Sequence, residues 1–498
     1  MNDRPARPSP VSQALASDRL GASAVVFFVI SAATPLTVVA GVVTTGYATT
    51  ALIGIPVAFV VIALVLALFS VGYVAMARHV AIAGAFYGFI SRGLGKPFGV
   101  GAAWIALLSY NLLQVGLYGA AGVAAAPLFR EWFGTDLPWW LFALAAWVLV
   151  AALGLQHVDV NGKVLAVLLA AEVAVIAVYS VSNVANPAGG EVSFATLAPA
   201  ELFGPGAGAI LALAVLGFVG FESSVVFSEE VRNPRRTVAV ATYVSLAAIG
   251  GLYAFASWAM SVATGPDRIV GQSQAQSSEL LFSLADSQLG HGMATAGRVL
   301  FVTSILAAMI SFHNTIARYT FALGREGVLP AALGRTSPRT GSPVAGSMIQ
   351  SGVGLAVIGL FALAGWDPLV HLFFWGGNSG GLGVLVLIVA TSFSVVLFFA
   401  RQPSGENLWR RLIAPALASL AVLVVLVLVL ANFGTLLGVP PESPLPWLVP
   451  VVHGLVGLAG VLWALVLRIR RPQVYSAIGL GAKNKALAGP EDYRGTHL

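Results

Sequence analysis

Two glutamates, Glu172 and Glu222, lie inside long apolar runs of the sequence, and their carboxyls are candidates for proton chemistry. An ionisable side chain inside a bilayer is costly unless it faces protein or water, so it is a functional candidate by default. Nothing in the stretch 168–175 neutralises Glu172. A carboxyl in such a place can exchange a proton as its surroundings become wet or dry, and we predict this role for both residues. The alternative is a structural acid that is hydrogen-bonded to a neighbouring helix.

Two of the apolar runs are interrupted by residues that break a helix: SAATP at 31–35 and GFVGFESS at 217–224. Proline lacks an amide donor, and unwound backbone near mid-membrane can replace the hydration shell of a polar solute. The predicted ligand-binding residues are Ala32, Ala33, Thr34, Gly217, Phe218, Gly220 and Phe221, together with Tyr110 and Asn111 of another polar stretch. The alternative is that these glycines and prolines only kink or pack helices, and that the polar side chains join neighbouring helices.

The composition indicates which elements hold these residues. Of 498 residues, 58% are hydrophobic and only 9% are charged, which excludes an ordinary soluble protein, in which about a quarter of residues are charged. A membrane-spanning helix needs about 20 apolar residues. We predict an all-α membrane protein with twelve transmembrane helices, near 23–47, 51–76, 98–127, 138–155, 160–182, 207–230, 238–263, 293–323, 344–364, 369–400, 412–434 and 446–468.

The basic residues predict the orientation of these helices. All of the 26 Lys and Arg residues except Arg130, Arg268 and Arg298 fall in segments on the side of the N-terminus. The positive-inside rule therefore places both termini in the cytoplasm of a multi-pass protein of the cell membrane. The formal charge of +6 is a topology signal, and we expect no nucleic acid partner.

Several chemistries lack a signature. The chain has no cysteine, which excludes disulfides, thiolate metal sites and cysteine nucleophiles. It contains no H-E-x-x-H motif, no Walker A loop and no recognisable Ser/His/Asp spacing. We predict no catalytic residue, no metal and no cofactor.

Two motifs resemble a known family. GFVGFESS at 217–224, followed by SEEVRNPRR at 228–236, is similar to a signature of the amino acid–polyamine–organocation permeases. NTIARYTFALGREGVLP at 314–330 resembles the end of helix 8 and the following loop in that family. The resemblance covers roughly 18–470.

The resemblance implies a leucine-transporter-like fold with two inverted five-helix repeats. The implied organisation is a cytoplasmic tail at 1–18, repeats at 19–182 and 183–400, two peripheral helices at 401–471 and a second cytoplasmic tail at 472–498. It also implies a secondary transporter that moves amino acids or related amines by alternating access, coupled to protons or working by exchange, without catalysis of a covalent change. The alternatives are sodium coupling, a membrane-embedded enzyme and a passive channel.

The sequence departs from the family pattern at two places. Family members usually carry Gly-x-Gly in helix 1, whose amides hold the substrate carboxylate, whereas SAATP at 31–35 has no glycine. Several sodium-independent relatives carry a lysine in helix 5 where sodium-coupled ones bind the ion between helices 1, 5 and 8. Glu172 aligns there, with Lys163 as the alternative match.

Overall fold

The computed structural model describes residue 15 and the ranges 20–80, 82–231, 233–402 and 405–481. Within these residues the protein is helical, and the single β-bridge joins Leu20 to Val231. Eleven of the described helices are long and apolar enough to cross a membrane. They are α1 Ala22–Thr50, α2 Ile55–Ala77, α3 Lys96–Phe133, α5 Val158–Ala185, α6 Ala207–Val225, α7 Pro234–Thr264, α8 His291–Arg325, α9 Val344–Ala364, α10 Pro368–Arg401, α11 Trp409–Ala431 and α12 Leu445–Arg470, and a shorter apolar helix is α4 Trp139–Gly154.

The predicted all-α membrane architecture is confirmed, and each predicted span has a helix at its place. Helix α4 has 16 residues and rises about 24 Å, less than the roughly 30 Å of a hydrocarbon core. The twelfth crossing and the inverted five-helix repeats therefore stay predictions. Helix α3 lies centrally and contacts α4, α8, α10 and α12.

Helix α1 is broken where the sequence predicts an interruption. Its first part ends at Ala32, and Thr34 takes the left-handed conformation with φ 46°. Pro35 starts the second part, which contains a π-helical turn at Val38–Val42. Proline has no amide and its ring crowds the preceding turn, which disfavours a continuous helix at this position.

Helix α6 is broken in the same way. A regular helix covers Ala207–Leu216, and a 3₁₀ turn at Phe221–Val225 follows the break. Gly220, between the two, has φ 110°, a conformation that a side chain makes costly.

The two faces of the helix bundle are defined by the residues at the helix ends. We call the face with Leu20, Arg325 and Gly481 the terminus face and the face with Arg130 and His291 the opposite face. The N-terminal tail lies outside the described residues except for residue 15, as does 482–498 of the C-terminal tail. The remainder of that tail, 472–481, packs against the protein, where Ile478 is buried.

Candidate functional site

The two helix breaks touch each other near the centre of the bundle. A Cβ atom added to Gly220 would lie 2.6 Å from the Cβ of Ala32 and 3.1 Å from its carbonyl carbon. Only a residue without a side chain permits this approach together with the positive φ of Gly220. The predicted interruptions are therefore brought together by the tertiary structure.

A cavity of about 920 Å³ leads from the opposite face to these breaks. Its mouth carries charged side chains that are partly or fully exposed: Arg130, Glu131, Glu279, Asp286, His291 and Arg298. Its deeper wall is mostly apolar and includes Thr37, Val38, Leu113, Leu216, Val219, Phe312, Phe373 and Asn378. The cavity can therefore admit a solute from one side and surround it with apolar groups.

The terminus face is closed by two ion pairs between the end of α6 and the end of α8. Arg318 binds Glu230 through two hydrogen bonds of 2.5 and 3.0 Å, and both side chains are 1% exposed. Arg325 binds Glu229 through two hydrogen bonds of 2.7 Å. Such bidentate pairs combine strong attraction with fixed geometry. In this conformation they separate the helix breaks from the terminus face.

Aromatic rings fill the space above the Arg318 pair. The Arg318 guanidinium lies 4.8 Å from the ring centre of Phe227. That ring packs 4.4 Å from the ring of Phe28 on α1. The Leu20 amide also donates to the Glu230 carbonyl at 3.1 Å, so α1, α6 and α8 converge here.

Glu172 lies where α1, α5 and α8 meet. Its Oε1 accepts hydrogen bonds from the Leu36 amide at 2.5 Å and from the Ser304 hydroxyl at 2.6 Å. The Leu36 amide is free to donate because the break at Thr34 and Pro35 removes it from the helical pattern. The carboxyl thus satisfies backbone that the break exposes, one layer behind the cavity wall at Thr37.

Glu222 has a comparable place at the other break. Its carboxyl accepts hydrogen bonds from the Gly220 amide at 2.9 Å and from the Tyr110 hydroxyl at 2.7 Å. The Tyr73 hydroxyl donates to its backbone carbonyl at 2.7 Å. Each break is therefore bonded to a buried glutamate of the chain itself.

The predicted ligand-binding residues divide into those on the cavity wall and those behind it. Ala32, Ala33 and Thr34 line the cavity. The lining residues from the α6 break are its neighbours Leu216 and Val219. Outside the lining lie Gly217, Phe218, Gly220, Phe221, Tyr110 and Asn111.

The residues behind the wall have packing partners of their own. The Phe218 ring packs 6.3 Å from Phe59 on α2, and the Phe221 ring packs 6.0 Å from Phe69. The side-chain amide of Asn111 donates to the Leu107 carbonyl within α3. A role for these side chains in binding stays a prediction.

Sequence reasoning missed two features of the site. The Tyr253 hydroxyl of α7 donates to the Ala33 carbonyl at 2.8 Å and satisfies an acceptor at the α1 break. The closing ion pairs were also missed, although two acids at the end of α6 and two arginines at the end of α8 were a possible signal. Within the described residues there is no group of three or more His, Asp or Glu side chains that could hold a metal ion.

Comparison with known proteins identifies a family. A family model described as amino acid permease matches residues 20–460. The chain is 27% identical to a branched-chain amino acid permease of Bacillus subtilis over 406 residues, which cover 76% of this chain and 81% of the relative. It is 22% identical to a low-affinity putrescine importer of Escherichia coli over 359 residues, which cover 70% of this chain and 74% of the relative. A methylthioribose transporter of Bacillus subtilis is 23% identical, with 71% and 75% covered.

Proposed function

This chain belongs to the amino acid permease family, and on that premise we propose that it is a secondary transporter that moves an amino acid or a related amine by alternating access. Like the permeases to which it is similar, it is a multi-pass membrane transport protein and not an enzyme. We place it in the cell membrane with both termini in the cytoplasm, because the basic residues collect on the terminus face.

The observation that carries this proposal is the one-sided cavity. It reaches the two helix breaks from the opposite face, while the pairs Glu230–Arg318 and Glu229–Arg325 close the terminus face. Alternating access requires a central site that is open to one side at a time. A passive channel would instead need a continuous path through the protein.

The proposed substrate carries an amino group. Two of the relatives are named for branched-chain amino acids and for putrescine, which share an amino group, whereas the methylthioribose transporter is named for a ligand that lacks one. Backbone carbonyls that a helix break frees can accept hydrogen bonds from an ammonium group. The breaks in α1 and α6 supply such backbone beside the cavity.

We propose coupling to protons, with Glu172 as the proton-binding group. It lies between α1, α5 and α8 and contacts the α1 break directly, so a change in its protonation would alter the bonds that hold the break. Glu222 is the second candidate because it bonds to the α6 break. Sodium coupling is the alternative, since carboxylate and hydroxyl oxygens can also bind a cation.

Uptake into proteoliposomes tests the proposal. The purified chain should take up radiolabelled amines or amino acids with saturation, and an inward proton gradient without sodium should drive accumulation. Uptake that rises linearly with substrate concentration would indicate a channel. Uptake that requires a sodium gradient and ignores a proton gradient would contradict the proton proposal but retain the transporter.

A further inference from the structure

The amides at the α1 break are already engaged within the protein. The Ala33 and Thr34 amides donate back into the preceding turn, to carbonyls that include those of Ile30 and Ser31. Pro35 has no amide, and the next amide, that of Leu36, donates to Glu172. Among residues 33–36, no amide is therefore left for a substrate carboxylate that enters the cavity.

The α6 break has the same property. The Gly220 amide donates to Glu222, and the Phe221 amide donates to the Phe218 carbonyl at 3.1 Å. The amides of Phe218 and Val219 donate to the preceding turn of α6. At both breaks, a carboxyl group of the chain takes the backbone donor that could otherwise bind an anion.

Near the breaks, the described lining residues include no arginine or lysine that could pair with a carboxylate. Among the described lining residues, the arginines are Arg130 and Arg298 at the mouth. Arg298 binds Glu279 at 3.0 Å, and Arg130 lies 3.8 Å from Asp136. Near the breaks the lining is apolar except for threonines and Asn378. Burial of a carboxylate without a cationic or amide partner is strongly unfavourable.

The same wall suits an ammonium group. Pro35 has no amide and the Leu36 amide is diverted to Glu172, so the Ala32 carbonyl is left without its helical donor. The rings of Phe312, Phe373 and Phe374 line the cavity, and aromatic faces attract cations. Apolar side chains around them can enclose the rest of the ligand.

From this distribution of donors and acceptors, and given the proposed transport function, we infer that the site takes an amine with an apolar body and no carboxylate. Glu172 and Glu222 hold the Leu36 and Gly220 amides, whereas a backbone acceptor and aromatic faces remain on the wall. An amino acid would bring its carboxylate close to these two glutamates, which repel it whenever they are ionised.

Matched ligands test the inference on the purified full-length protein. Phenethylamine, phenylalanine and phenylalaninol share a ring and an amino group, but only phenylalanine carries a carboxylate. The amine and the amino alcohol should raise the melting temperature and bind at least about tenfold more tightly than the amino acid. The amino alcohol controls for size. The same ranking is expected for 3-methylbutylamine against leucine, and putrescine should bind more weakly than either monoamine because it lacks an apolar end.

If phenylalanine or leucine binds as tightly as its matched amine, or more tightly, the inference is wrong. The proposed function would then remain, with an amino acid as the substrate. If putrescine binds more tightly than the monoamines, the inference that the ligand has an apolar body is wrong. If none of these ligands stabilises the protein or enters proteoliposomes, both the inference and the proposed function fail.

Two substitutions of one residue locate the cause. Glu172→Ala frees the Leu36 amide, so the preference for the amine over the amino acid should fall, by about tenfold if this amide then binds the carboxylate. Glu172→Gln retains an oxygen that can accept from Leu36, so most of the preference should remain. Asp267→Ala removes an exposed acid far from the breaks and controls for net charge. An unchanged preference in a folded Glu172→Ala protein would exclude capture of the Leu36 amide as the cause.

Discussion

At the scale of single residues, two glutamates accept hydrogen bonds from backbone amides that the helix breaks leave without helical partners. A break inside a membrane exposes amides and carbonyls that water cannot reach, and each needs a partner within the protein. Glu172 provides one for Leu36, and Glu222 provides one for Gly220. Ser304 on α8 donates to the same oxygen of Glu172 as Leu36 on α1. A change in the protonation or position of this carboxyl would therefore alter its hydrogen bonds to both helices.

We predict that Glu172→Gln uncouples accumulation from the proton gradient. Glutamine preserves the shape and an acceptor oxygen but cannot bind and release a proton, so binding of the amine should remain largely intact. A gradient of one pH unit supplies about 1.4 kcal/mol per proton, enough for roughly tenfold accumulation of the substrate by the wild type. The variant should instead equilibrate the substrate across proteoliposomes. If it keeps the full response to pH, Glu222 becomes the candidate.

At the scale of elements, the proposed transport depends on two broken helices that contact each other at a glycine. Gly220 lies against Ala32, and Ala32 lines the cavity. Because Glu172 and Glu222 are bonded to the breaks, a displacement at this contact would also move their carboxyls.

We predict that Gly220→Ala strongly lowers uptake. The added methyl would lie 2.6 Å from the Cβ of Ala32, and alanine is strained at φ 110°. The strain should be about 1–3 kcal/mol, measurable as a lower melting temperature. Gly251→Ala on α7 is the matched control, since nothing lies within 4 Å of its added methyl. Wild-type uptake by a folded Gly220→Ala protein would contradict the contribution of this contact.

A second element, the segment 472–481, is held on the terminus face by Glu326; we call it the C-terminal strap. The Glu326 carboxyl accepts hydrogen bonds from the Gly479 amide at 2.8 Å, the Gly481 amide at 2.7 Å and the Tyr87 hydroxyl. Burial raises the pKa of Glu326 above its ordinary value, and these hydrogen bonds offset only part of that effect.

We predict that docking of the C-terminal strap weakens as pH rises. The docked carboxyl has the higher pKa, so the docked state binds the proton more tightly than a state with Glu326 exposed. Docking should be strongest below the ordinary pKa of glutamate and should weaken until pH exceeds the raised pKa. Hydrogen exchange of 472–481, corrected for intrinsic rates, measures this dependence. Glu326→Gln should remove it, whereas Glu442→Gln at an exposed position should not.

At the scale of the whole molecule, the protein is closed on one face and open on the other. The face that the basic residues predict to be cytoplasmic carries both buried ion pairs, Glu230–Arg318 and Glu229–Arg325. Opening that face requires these pairs to separate. Removal of one partner from a buried ion pair destabilises a protein by about 3–5 kcal/mol, because the other charge is left unpaired. These pairs should therefore separate only when new contacts stabilise the separated charges.

We predict that the terminus face is cytoplasmic. The chain has no cysteine, so single cysteines report accessibility without background. An impermeant maleimide added to intact cells should label Asp136→Cys on the opposite face and should leave Arg335→Cys unlabelled until the cells are opened. Both positions are exposed in the structure. Labelling of Arg335→Cys in intact cells would reverse the orientation.

The sequence by itself determined the features that consecutive residues encode. Apolar runs placed the helices, because burial in a bilayer depends on the local density of apolar side chains. Pro35 and Gly220 marked the breaks, because each restricts or frees its own backbone. The distribution of Lys and Arg predicted the orientation, and two motifs indicated the family that the match over 20–460 confirms.

Only the tertiary structure decided which groups meet. Leu36 and Glu172 are 136 positions apart, and Glu230 and Arg318 are 88 apart, so no local pattern could pair them. Their contacts depend on how α1, α5, α6 and α8 pack, which is set by side chains along each whole helix. The structure likewise decided that the α1 wall meets the cavity whereas Phe218 and Phe221 pack behind it. A residue at a break can face either side, and helix packing determines which.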